Sequence, residues 1–216
     1  MNLAASAAAP LVLGWPLQGR VRARNSPARR VPSHGTHLMG ATYAIDLIPV
    51  DERGRVAPWS WRTAVATEAP EKFIGFGVPV IAPSSGRIVV AHGGEPDHVA
   101  RRSQLALIPY ALGQAARLRS GVAALAGNHI VIQAGDDGPF ILVAHLKRGS
   151  LVVGVGDMVR RGEPIASCGN SGNSTQPHVH IQATDTVEWN RAVGLPIAFD
   201  ATAGPLLPGE SQIICA

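Results

Sequence analysis

The stretch PHVHIQ, Pro177 to Gln182, decides the reading of this chain. It sets two histidines one residue apart, with β-favouring neighbours. In a strand, residues i and i+2 point to the same face, so His178 and His180 aim at one small volume. Two imidazoles so placed call for a shared partner: a metal, a phosphate, a substrate or acidic side chains.

The same β texture extends outward. NHIVIQAGDDGPFILVAHL, Asn128 to Leu146, reads as a hairpin turning at GDDGP. GSLVVGVGDMVRRGEPIASCG, Gly149 to Gly169, reads as short strands between Gly-Asp and Arg-Gly turns. FGVPVIAPSSGRIVVAHGG, Phe76 to Gly94, gives two strands about PSSG. TYAIDLIPV, Thr42 to Val50, gives another, with Asp46 on the side of Ala44 and Ile48. Residues 95–127 break the pattern. They are rich in Ala, Leu and Arg but hold Pro109 and Gly113, so they read as an insertion of short helix and loop. Residues 1–30 read as a loosely ordered, Arg-rich lead-in, 31–200 as a single β domain, and 201–216 as an irregular C-terminal tail. The expected class is mainly β, an antiparallel sandwich with one helical insertion.

Composition bounds the function. The chain has 216 residues, enough for one domain with a real core. Its 24 glycines and 17 prolines suit many turns. No apolar run reaches the length of about 18 residues that a membrane helix needs. The N-terminus is apolar but lacks the basic start of a secretory signal, which leaves a cytoplasmic location open. The net charge of +4 is concentrated in GRVRARNSPARR, with five arginines from Arg20 to Arg30. This reads as a solvated basic arm. No nucleic-acid-binding motif accompanies it, so nucleic acid is not expected as a partner. Two cysteines, Cys168 and Cys215, make no disulfide framework and read as small buried hydrophobes or free thiols.

Eight histidines are present. His92 and His98 flank a loop and read as surface residues, and His129 as structural. His145 ends an apolar strand in which Ile141, Val143 and His145 share a face. His37 lies nine residues before Asp46, with His34 a competitor three residues earlier. A carboxylate on an apolar strand is costly to bury unless paired or metal-bound; the plain alternative is a salt bridge to arginine. Several histidines and a carboxylate suit zinc. Spacing alone does not say which histidine binds and which assists. H-E-x-x-H is absent.

In order along the chain, HLMGATYAID, VPVIAPSSGRIVVA, GNHIVIQAGDDGPFILVAHL and GSLVVGVGDMVRRGEPIASCGNSGNSTQPHVHIQ resemble the motifs of the LytM/lysostaphin-type zinc metallopeptidases, which cut peptide cross-links in bacterial peptidoglycan. The resemblance runs from about His34 to Gln182, interrupted by the 95–127 insertion, and GLPIAFD, Gly194 to Asp200, resembles a closing segment of some relatives. It implies a duplicated hybrid motif-like antiparallel fold with a groove over one sheet. It implies Zn2+ held by His37, Asp46 and His180, with His145 and His178 as catalytic histidines, one taking a water proton and the other steadying the oxyanion. The implied substrate is peptidoglycan or another peptide, and the implied place the cell envelope or exterior. Two other readings are a non-catalytic binding or activator domain on the same fold and a phosphocarrier domain. The filled ligand positions disfavour the first, and the carboxylate on the strand disfavours the second.

Overall fold

The computed structural model describes residues 9–58, 67–100 and 122–216. Its strands are β1 (Leu11–Leu13), β2 (Arg20–Arg24), β3 (Ile45–Pro49), β4 (Pro79–Ile81), β5 (Gly86–His92), β6 (Asn128–Gln133), β7 (Phe140–Leu146), β8 (Met158–Val159), β9 (Pro164–Ser167), β10 (Val179–Thr184), β11 (Gly194–Leu195), β12 (Ile197–Phe199) and β13 (Ile213–Cys215). One short helix, α1 (Val122–Ala126), precedes β6. Nine strands form an antiparallel sheet in the order β13-β2-β3-β10-β7-β6-β5-β8, with β11 beside β10. β4 pairs with β9, and β1 with β12, the latter parallel.

Alternation along the strands sorts the sheet's two faces. Val21, Ala23, Ile45, Leu47, Ile130, Ile132, Ile141, Val143, Val179 and Ile181 share one buried core. The two small ribbons cover that face through Leu13, Val80, Ile165, Ile197 and Phe199. The expected mainly β, antiparallel class is therefore what the chain adopts. The opposite face takes the alternate residues. Register puts His180 across from Asp46 on β3 and from Ala144 on β7. Beside them lies a smaller apolar floor of Val131, Leu142 and Ala144.

Two expectations need correction. The lead-in is not loosely ordered where it is described. β1 pairs with β12 and β2 lies between β3 and β13, while Leu13, Leu17, Val21 and Ala23 are fully buried. The arginines of RVRAR alternate with inward Val21 and Ala23, so the basic segment is an amphipathic strand. Likewise the tail ends in a strand, β13, on β2. Residues 1–8 of the lead-in and 101–121 of the insertion lie outside the described residues. The flanks of that insertion are ordered: Ala100 bridges Glu68, and α1 leads into β6.

Candidate metal centre

Asp46 stands on the face of β3 turned away from the main core. Its Oδ1 lies 2.9 Å from His180 Nδ1, 3.2 Å from His34 Nε2 and 3.6 Å from His178 Nε2. Its Oδ2 accepts a hydrogen bond from Asn25 Nδ2 at 2.7 Å. No arginine pairs with Asp46 among the described residues; histidines take that place. The ring of His145 lies 4.7 Å from that of His178 and 5.8 Å from that of His180, centroid to centroid. Asp46, His145 and His178 are buried, and His34 and His180 are half-buried.

The structure brings together four of the five expected site residues: Asp46, His145, His178 and His180. It does not bring in His37, which is exposed and whose Nδ1 lies 3.0 Å from Thr42 Oγ1. His34 stands in its place. His34 Nε2, Asp46 Oδ1 and a ring nitrogen of His180 lie within 4.8 Å of one another and form a group able to hold a metal ion. The chain between the two histidines makes the difference. Met39 and Gly40 take positive φ, and residues 38–43 coil into a 3-10 turn packed against β10 and β11, which leaves His37 on its outer side.

His145 reaches the site by breaking the alternation of its strand. Between Asn128 and Ile130 of β6, the partner on β7 shifts from Leu146 to Val143, so β7 carries one extra residue. His145 sits at that bulge with φ +61°. Strict alternation would send it to the core with Ile141 and Val143. Instead Leu146 returns to the core and His145 joins the face of His180. A bulge re-aims a side chain in this way. The ring is then held by Nδ1–H donating to the Ser171 carbonyl at 2.9 Å. His178 is held similarly, with Nδ1–H donating to the Gln176 carbonyl at 2.8 Å.

Electrostatics separate the three groups. Burial alone would raise the Asp46 carboxyl, but the facing charges of His34 and His178 and bonds from His178 and His180 hold it well below the usual carboxylate range. Burial pushes His145 well below the usual imidazole range, and repulsion from His178 and His180 adds to this. Burial also opposes charge on His178, yet the adjacent Asp46 outweighs it and raises the ring. Two imidazoles 4.7 Å apart are therefore pushed in opposite directions.

Among the remaining histidines and cysteines, His129, His98 and Cys168 are structural. His129 is buried and donates to the Gly127 carbonyl. His98, expected at the surface, is half-buried and donates to the Gly172 carbonyl at 2.6 Å. Cys168 is fully buried in the core beneath the 168–173 loop, and burial pushes its thiol up, away from reactivity. Cys215 is an exposed free thiol. Sequence reasoning missed Asn25, Ser33, Ser171 and Gln182 as partners of the site. Gln182 alone carried a signal, since it follows His180 by two residues on the same face.

The donor set fits zinc. It offers two imidazole nitrogens and one carboxylate oxygen, the mixture such an ion takes when one position stays open. Ligand atoms about 2.0–2.1 Å from a tetrahedral ion lie roughly 3.3 Å from one another. The observed 3.2 and 2.9 Å from Asp46 Oδ1 are close to that.

The sequence profile of peptidase family M23 matches residues 110–191. That span holds the β6–β7 hairpin, His145, His178 and His180, and the match is in keeping with the LytM/lysostaphin-type resemblance. His34 and Asp46 precede it. Among solved structures the chain is similar to the catalytic domain of the antimicrobial peptidase lysostaphin from Staphylococcus simulans, at 26% identity, covering 56% of this chain and 70% of that one, with a TM-score of 0.38. It is also similar to a putative glycyl-glycine endopeptidase lytM from Ruminococcus gnavus, at 16% identity, 70% and 42% coverage and a TM-score of 0.36. A third is a zinc containing peptidase from Vibrio cholerae, at 19% identity, 70% and 48% coverage and a TM-score of 0.34. The chain spans under half the length of the latter two.

Proposed function

We propose that this chain is a zinc-dependent endopeptidase acting on peptide bonds of bacterial cell-wall peptidoglycan. The observation that carries the proposal is the convergence of His34, Asp46 and His180 on one point, with His145 and His178 alongside. A bound zinc ion supplies Lewis acidity to the scissile carbonyl and to water. The chain's own groups then divide the proton work. His145, held neutral by burial, presents Nε2 as the base that takes the water proton. His178, raised by Asp46, presents Nε2–H to the developing oxyanion. Groups whose environments push their pKa values apart are suited to such a division. A wall substrate places the working protein in the cell envelope, which fractionation of the producing cell tests.

The direct test combines elemental analysis with hydrolysis of purified peptidoglycan. One zinc per chain, loss of cleavage on chelation and recovery on adding zinc are expected. A zinc-loaded protein that binds peptidoglycan without cutting it overturns the catalytic reading and leaves the binding-domain reading standing.

A further inference from the structure

We propose that three uncharged side chains, Ser33, Asn25 and Gln182, position the ligand atoms of His34, Asp46 and His180. This rests on the metal-site reading above.

His180 lies between two oxygens. Its Nδ1 is 2.9 Å from Asp46 Oδ1, and its Nε2 is 3.1 Å from Gln182 Oε1. An amide could turn either end toward the ring, but Gln182 Nε2 donates to the Met39 carbonyl at 2.7 Å. That bond fixes the oxygen end toward His180. Both facing oxygens only accept: Asp46 takes a hydrogen bond from Nδ1 in the metal-free chain, and a metal ion on Nδ1 would leave the ring proton on Nε2, where Gln182 Oε1 accepts it. The Met39 carbonyl is itself held in place. It belongs to the turn in which Gly40 lies so close to β10 that a Cβ there would come within 2.3 Å of Thr184 Cγ2. Gln182 is 4% exposed, so water does not compete for its amide.

The other two ligands follow the same logic. Ser33 Oγ donates to the Ala41 carbonyl at 3.3 Å and lies 3.0 Å from His34 Nδ1. With its own proton engaged, the hydroxyl accepts Nδ1–H, which orients the ring with Nε2 toward Asp46. Asn25 donates to Asp46 Oδ2 and leaves Oδ1 to face the histidines. Three ligand atoms thus face one another, each oriented from behind by a neutral partner. Partners of metal-bound imidazoles and carboxylates fix tautomer and orientation, and losing one weakens metal binding roughly 10–100-fold.

The test is the zinc affinity of wild type and Gln182→Met, measured by competition with a chromophoric chelator, with thermal melts of the metal-free forms. Affinity should fall roughly 10–100-fold in the variant, and an unchanged affinity in a folded variant overturns the role of Gln182. Failure of the wild type itself to bind zinc sinks the metal-site reading separately.

Discussion

His145 adopts a backbone conformation that L-residues avoid, at a cost of about 1–3 kcal/mol. The strain places one nitrogen of a neutral ring in the site. His145→Ala should therefore keep zinc by elemental analysis while peptidoglycan hydrolysis falls by roughly 10²–10⁴-fold. The ligand assignment separates two neighbouring histidines. His34→Ala should lose the metal and His37→Ala should keep it; the reverse result restores His37. Asp46 adds a pH dependence. Its folded carboxyl is below the unfolded one, so its stabilisation is fully present above the ordinary aspartate value near about 4 and is lost as pH falls through the lower folded value. In metal-free protein, the stability difference between wild type and Asp46→Asn should begin to shrink only as the pH falls below about 4, and a difference that stays constant on further acidification in chemical denaturation rejects the pairing. His178, His180 and Asp46 were legible because side-chain period and burial cost act along one strand. The choice of His34 over His37 was not, because it depends on two positive-φ residues, Met39 among them, and no sequence rule expects that conformation of a methionine.

The elements that aim the site depend on close backbone contact between the 168–173 loop and the start of β6. A Cβ on Gly127, at φ +61°, would come within 2.5 Å of Ser171, whose carbonyl holds His145. Ser171 Oγ also donates to the Leu146 carbonyl and accepts from the Asn128 backbone. Gly127→Ala should lower the melting temperature and cut turnover while zinc content is kept; a variant with wild-type turnover shows that the loop contact does not aim His145. The hairpin of β6 and β7 was legible from its turn residues and apolar runs. The bulge was not. It is a mismatch of count between two strands, and FILVAHL read by itself alternates without interruption.

Across the whole molecule, the first described strands close the core. Leu13 and Leu17 are fully buried against it. Leu13→Ala should cost about 2–5 kcal/mol, read as a loss of denaturation midpoint, and removing residues 1–24 should abolish cooperative unfolding. A mere surface arm would leave both unchanged. The overall class was legible because the sheet strands keep a two-residue period over most of their length, the bulge at His145 apart. The lead-in was not, because a three-residue strand such as LVL is too short to show a period and five arginines drew attention to charge. One consequence follows from the place of β10 between β3 and β7. Asp46 and His180 are 134 residues apart in the chain yet side by side in the sheet. A nascent chain leaving the ribosome therefore carries its carboxylate long before the matching imidazole exists. The cluster stays incomplete through most of translation and is assembled only when a late segment slots between two earlier ones.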